Sequence, residues 1–350
     1  MPVDLSYPNA RIRAMRSHLL NRDFFTRLLS IEESAALISA LAETSYQEDI
    51  EAGTLKYPGT LGVEEAFRTN IMRSFSKIMD MVDGTARELV EVLLGRWDVQ
   101  SIKTVLRGKN IGATQEEILG SLIPAGQLDE VFLTELARQP DVKACVDLLL
   151  MGKVSYAKAL ADSFPKYQED KNLVYLELAL DRFFYEWALD QTSRNSFDAQ
   201  LVREVIMREI DVINIMSALR LVTKEASEDR KGMFFIEGGK HIDKSKFESL
   251  LQSDEAADVA AGVENTPYGP PLAEVQAAYM KTGVLSVIER SLERFLVTQN
   301  IKLFRADPLS IALIVAYVWA KYNEVVNLRV IVRGKSLGMP PDRIEADLVF

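Results

Sequence analysis

The sequence predicts an all-α protein written as three homologous segments. Three observations predict it. Apolar residues recur at three- and four-residue spacing over long stretches such as 85–109, "TARELVEVLLGRWDVQSIKTVLRGK", the pattern of an amphipathic helix. Glycine and proline fall at segment edges, and no strand–helix–strand rhythm occurs. A fifteen-residue phrase is also repeated: 98–112 reads "DVQSIKTVLRGKNIG" and 324–338 reads "EVVNLRVIVRGKSLG". Midway between them, 211–220 reads "DVINIMSALR", so there are three copies. Asp98, Asp211 and Glu324 are separated by equal steps of 113 residues, as are Arg107, Arg220 and Arg333. Val99, Val212 and Val325 match, Ile102, Ile215 and Leu328 are all apolar, and Ser101, Asn214 and Asn327 are all small and polar.

In chain order, the first element is a basic helix in "NARIRAMRSHLLNRDFFTR", where five arginines face the single acid Asp23. A transit peptide can look like this, but the stretch runs into the first repeat, and a helix with one basic face is the plainer reading. Three helix starts then repeat: "LNRDFFTRLL" from Leu20, "LDEVFLTELA" from Leu128 and "IDKSKFESLL" from Ile242. Each has an apolar residue, Asn or Asp as N-cap, and Leu at the ninth position. Thr85 is the expected cap of the helix that carries the first copy of the phrase, and Asp198 that of the second. Asp307-Pro308 is the expected start of the third, with proline in the first turn where its missing N–H costs nothing.

Gly112 and Gly338 are expected to end their helices in a left-handed turn, with the glycine inside "RGK" helping the chain to leave. Thr114 and Glu117 form a capping box for "QEEILGSLI", and Pro340-Pro341 open the matching helix "DRIEADLVF". "LDRFFYEW" from Leu180 echoes "LERFLVTQ" from Leu292, with a weaker counterpart in "AFRTNIMRSF". Polar 224–232 and small, acidic, proline-rich 253–271 read as exposed loops, the second the more mobile. The period divides the chain into segments 1–124, 125–237 and 238–350.

Composition excludes several function classes. A net charge of -10 argues against nucleic acid as partner, which needs a basic footprint. The single cysteine, Cys145, lies in the apolar "DVKACVDLLL" and reads as a buried structural thiol. With only His18 and His241, a zinc site is not expected. No apolar leader opens the chain, and the longest apolar run, Leu309 to Ala320, is too short to cross a bilayer and reads as core.

Gly334-Lys335-Ser336 resembles the tail of a phosphate loop, but the first glycine of that motif would fall at Arg329, and the segment follows a helix rather than a strand. Nucleotide binding is therefore not expected. Paired carboxylates such as Glu116-Glu117, or Glu204 with Glu209, read as solvated faces, and there is neither a G-x-S-x-G elbow nor an H-E-x-x-H pair. No catalytic constellation, cofactor or metal site emerges. The cations of the phrase, Arg107, Lys109, Arg220, Arg333 and Lys335, sit at helix C-termini, where the macrodipole stabilises each by roughly 0.3–1 kcal/mol when exposed.

The opening Y-x-N-A-R-x-R (Tyr7, Asn9, Arg11, Arg13), "WDVQSIKTVLRGK", the late "NLRVIVRGKSLG" and the triplicated helical plan together resemble the C subunit of the archaeal and bacterial V/A-type rotary ATPases, a relative of the d subunit of the eukaryotic V-ATPase. The resemblance spans essentially the whole chain. It implies three similar helical domains in a funnel around a pseudo-threefold axis and no catalytic activity. It also implies a place on the cytoplasmic side of the membrane, without a span of its own, joining the central axle of the ATPase head to the membrane proteolipid ring. Rotation would then be coupled to proton or sodium transport or to ATP synthesis. On this reading Arg11, Arg13, Arg107, Lys109, Arg220, Arg333 and Lys335 are the candidate partner contacts. The middle copy departs from the pattern, since Arg220 is followed by "LVTKE", so three identical contacts are not expected. The alternative is a helical scaffold or adaptor unrelated to rotary ATPases.

Overall fold

The computed structural model describes residues 4–124, 126–223 and 231–350, and every regular element among them is helical. A first helix, α1 (Ser6–Arg16), precedes a succession of helices that recurs. The first round is α2 (Arg22–Ser30), α3 (Ser34–Ala42), α4 (Gln47–Lys56), α5 (Thr60–Met81), α6 (Gly84–Ile111) and α7 (Gln115–Ser121). The second is α8 (Glu130–Arg138), α9 (Val142–Met151), α10 (Ala157–Asp170), α11 (Val174–Gln191) and α12 (Phe197–Val222). The third is α13 (Lys244–Leu251), α14 (Ala256–Gly262), α15 (Gly269–Thr282), α16 (Ser286–Ile301), α17 (Ala312–Ser336) and α18 (Pro341–Glu345). In each round two short helices lead to a third, then to a long one, and then to the longest, which carries the repeated phrase.

Packing divides the chain into two compact units, Met1–Leu173 with Ile301–Phe350, and Val174–Asn300. In the first, α1 and α2 run along α17. The Asn9 side chain donates to the carbonyls of Pro308 (3.0 Å) and Ser310 (2.9 Å) before α17 begins. The Leu20 N–H reaches Glu324 near the middle of α17, and Lys335 at its far end reaches the carbonyl of Leu29. The apolar run of the sequence is core here: Ile311 through Trp319 is buried on every side, as a central helix requires. In the second unit, Leu180, Phe184, Leu292 and Leu296 are buried, so the echoed positions on α11 and α16 are inward-facing. Phe67 and Ile71 of α5 are buried at the corresponding step of the weaker copy.

Local chemistry sets many of the boundaries. The three repeated caps form as expected, Asn21, Asp129 and Asp243 accepting from the N–H of Phe24, Phe132 and Lys246. The Thr114–Glu117 capping box is present, and Pro340 caps α18. Three expected starts move. Helix α6 begins after Asp83, with Thr85 already inside it. Ser196 rather than Asp198 caps α12, its hydroxyl accepting from Ala199 N–H. Asp307-Pro308 forms a turn, Asp307 accepting from Leu309 N–H at 2.9 Å, and α17 starts only at Ala312.

The segment 253–271 is not a loop. Ala256–Gly262 is helical, with a reciprocal Glu255–Asp258 cap, and Ala256, Val259, Val263 and Tyr268 are buried. Alanine-rich sequence is a strong helix former once two valines give it an inner face. Of the expected loop at 224–232, residues 224–230 lie outside the described residues, and Gly232 opens a short 3-10 turn.

Candidate partner interface

The long helices α6, α12 and α17 carry the repeated residues, and the repeated acid and the repeated small polar residue each reach the corresponding stretch of backbone in all three. The small polar position fastens backbone 22 residues downstream. Asn214 donates to Ile236 C=O (2.8 Å) and accepts from Ile236 N–H (2.9 Å). Asn327 does the same with Val349, at 2.7 and 3.1 Å. Ser101 makes one longer contact, its hydroxyl 3.5 Å from Ile123 C=O. All three are buried, and the two asparagines offer an acceptor and a donor on one amide group, which matches the N–H and C=O of a single residue.

The repeated acid is a latch. Asp98 accepts from the N–H groups of Gln127 (2.8 Å) and Leu128 (3.0 Å), where the chain enters α8. Asp211 accepts from His241 (3.0 Å) and Ile242 (2.9 Å) before α13, and from the Tyr268 hydroxyl (2.9 Å). Glu324 accepts from Leu20 N–H before α2, from the Tyr46 hydroxyl (2.7 Å) and from Lys321 Nζ (2.7 Å). The residues clasped, Leu20, Leu128 and Ile242, are the three apolar residues that precede the repeated caps. Glycine lies under two of the latches, because a Cβ on Gly126 or Gly239 would stand 2.3 Å from the carboxylate of Asp98 or Asp211.

The phrase "RGK" resolves into separate roles. Its glycine is not where the chain leaves the helix. Gly108 and Gly334 are buried inside α6 and α17, where a Cβ would stand 2.4 Å and 2.7 Å from Ile118 and Ile344. The exit is made four residues later, at Gly112 (φ 71°) and Gly338 (φ 67°). Ala113 N–H returns to Gly108 C=O at 2.8 Å, and Met339 N–H to Gly334 C=O at 2.9 Å, the same Schellman closure twice. The residues before these glycines, Ile111 and Leu337, are large, apolar and 79% and 77% exposed, so each exit presents an apolar knob. Ser336 Oγ donates back to Arg333 C=O (2.9 Å), so the Gly-Lys-Ser stretch is a helix end and not a phosphate cradle.

The candidate contact residues of the first unit do not share one surface. Arg11 and Arg13 are exposed on α1, beside the start of α17, while Arg333 and Lys335 lie at its other end, about 35 Å away at 1.5 Å per residue. Arg333 is engaged internally by a two-pronged pair with Glu64 on α5 (both 2.6 Å), which raises its already high pKa further. Arg220 pairs with Glu289 on α16 at 2.6 Å. Lys335 donates to Leu29 C=O (2.7 Å) and Ile31 C=O, capping the end of α2. Arg107 is exposed and Lys109 half-buried. Lys109 lies near Cys145, whose thiol burial pushes up to about 12. That cysteine is fully buried, with Sγ 3.5 Å from Leu136 C=O, and is no nucleophile.

Two features escape a reading of the sequence. Lys321 is a buried cation in an apolar run, held by Glu324 and Tyr46 and with its proton affinity lowered by burial. Arg329 has Nε and Nη2 buried without a hydrogen-bond partner, and burial followed by the neighbouring Arg333 lowers its pKa. Among the described residues there is no cluster able to hold a metal ion, and no helix is long and apolar enough to cross a membrane.

Known proteins agree on one family. The pattern of the ATP synthase (C/AC39) subunit matches residues 8–347. The chain belongs to that family. Among its relatives, the A-type ATP synthase C subunit of Haloferax volcanii is 32% identical, covering 98% of this chain and 97% of its own. That of Methanococcoides burtonii is 33% identical, covering 99% and 94%. That of Methanosarcina barkeri is 30% identical, covering 98% and 93%. Within the (C/AC39) fold, then, the repeated acid, amide and glycine positions serve the architecture. Arg11, Arg13 and Arg107 are exposed.

Proposed function

We propose that this chain, a member of the ATP synthase (C/AC39) family, is the non-catalytic coupling element of a V/A-type rotary ATPase. It joins the central axle of the soluble head to the membrane proteolipid ring and rests on the cytoplasmic side of the membrane. The observation that carries this reading is the family match along nearly the whole chain. The internal chemistry supports it: the buried polar residues at the repeated positions are spent on fastening helices to one another, as a stiff part that transmits torque requires. The reading includes three homologous domains, 1–124, 125–237 and 238–350, in a funnel about a pseudo-threefold axis. It takes Arg11, Arg13, Arg107 and Lys109 as candidate contacts to partner surfaces, and gives Arg220, Arg333 and Lys335 a mainly internal role.

Purification of the native complex under mild, low-salt detergent conditions tests this. The chain should be recovered with an axle protein and the proteolipid, and Arg11→Glu with Arg13→Glu should weaken that recovery while the isolated chain stays folded. Recovery free of both partners would overturn the reading in favour of a general scaffold.

A further inference from the structure

The three carboxylate latches occupy equivalent places but are not equally furnished. Glu324 is held by a backbone N–H, the Tyr46 hydroxyl and the Lys321 ammonium. Around that cluster stand Asp49 and Arg73, both felt by Lys321, and Tyr317, felt by Glu324. Asp211 is held by two backbone N–H groups and the Tyr268 hydroxyl, with Arg208 one turn earlier. Asp98 has the N–H groups of Gln127 and Leu128 and, among the described residues, no side-chain donor. The tyrosine at its corresponding place, Tyr156, faces it but puts its hydroxyl 3.5 Å from the Gly95 carbonyl. The position three residues before the acid reads Lys321, Arg208 and Gly95 in the three copies. The first copy therefore lacks both the cation and the hydroxyl at its acid, although Asp98 is as buried as the others, at 1% exposure.

We propose that the Asp98 latch is the joint at which this chain yields, a pH-sensitive hinge between α6 and the start of α8 that is tight in acid and looser at neutral pH. A buried carboxylate with no countercharge favours its neutral form. Burial pushes the Asp98 carboxyl up to about 6 from an ordinary 3.8, with the Gln127 and Leu128 N–H groups only partly opposing it. When the joint opens, the carboxyl meets water and returns towards 3.8. The closed form holds the proton more firmly than the open form, so raising the pH through 6 favours opening and lowering it favours closure. Glu324, with an ammonium at 2.7 Å, has its charge matched inside the closed joint. The hinge is a property of the isolated chain and stands apart from the proposed function.

The latch amides are themselves the reporters. Hydrogen exchange on the full-length chain, corrected for the intrinsic rate at each pH, should find the peptide containing Gln127 and Leu128 less protected at about pH 7.5 than those containing Ile242 or Leu20. Its protection should rise by about 10-fold between about pH 7.5 and pH 5, because pH 5 lies one unit below the closed-state value of about 6 and still above the open-state 3.8. Asp98→Asn should abolish that pH dependence. Lys321→Met should transfer the behaviour, making Leu20 poorly protected and pH-dependent while Ile242 is unchanged. Equal protection at the three latches across the range, or protection at Leu128 that falls on acidification, would overturn the hinge even if one variant does not fold.

Discussion

Truncating the three downstream fasteners to alanine should cost stability in a fixed order. Asn214→Ala removes both hydrogen bonds to Ile236, at 2.8 and 2.9 Å, and among the described residues no other side chain is bonded to that backbone. Two lost bonds at about 1 kcal/mol each, plus two buried groups left without partners, give a loss of about 3–4 kcal/mol. Asn327→Ala removes the same pair at Val349, but Asn323 still donates to Val349 C=O at 2.9 Å, so only the N–H is orphaned. The loss there should be about 2.5–3 kcal/mol. Ser101→Ala removes a single 3.5 Å contact and should cost about 0.5 kcal/mol. Urea unfolding of the three variants, followed by a probe in each compact unit because two units need not unfold together, measures the series. A Ser101→Ala loss equal to that of Asn214→Ala would sink the fastener role. So would an Asn214→Ala loss below about 1 kcal/mol, because either result would mean these bonds are not what holds the segments.

Three further outcomes rest on the same contacts. Gly108→Ala and Gly334→Ala should each destabilise by about 1–3 kcal/mol through overpacking against Ile118 and Ile344, and trimming the facing isoleucine to valine should recover part of it, as thermal unfolding would show. Hydrogen bonds first from Arg68, and then from Lys56, hold the Glu65 carboxyl at about 2, below its ordinary 4.5. Its contribution is therefore present above pH 4.5 and lost as the pH falls towards 2, so wild type should lose about 1–2 kcal/mol more than Glu65→Gln between about pH 5 and pH 2, allowing for solvent screening, as acid unfolding curves would show. Arg329→Met should leave the isolated chain unchanged or up to about 1 kcal/mol more stable, because it removes a buried guanidinium edge that lacks partners; a loss above about 2 kcal/mol in chemical denaturation would contradict this.

Much of the fold is legible in the sequence because it is written locally. Asn21, Asp129 and Asp243 cap helices with their own side chains, and the Thr114–Glu117 box closes within one turn, so short-range pattern is enough. The 113-residue step locates Asp98, Asp211 and Glu324 but hides their role. The groups they clasp lie 29 to 31 residues downstream, or, for Glu324, near the opposite end of the chain. No periodicity within one helix reports such a contact. Gly108 and Gly334 look like helix exits for the same reason: the isoleucines they face belong to the next helix, so sequence spacing does not reveal the close approach. Helix α14 is hidden because small, acidic residues suggest looseness, whereas its buried Ala256 and Val259 have a core to face. Cations at helix ends are visible in the sequence, but the acidic partners of Arg333 and Arg220, Glu64 and Glu289 on other helices, are not.

A rotary complex reconstituted in vesicles with and without this chain gives the sharpest reading of the coupling role. Without the chain, the soluble head should still hydrolyse ATP while ion transport is lost, and adding the purified chain should restore transport. Transport that persists in its absence, or hydrolysis by the isolated head that needs it, would contradict a coupling role.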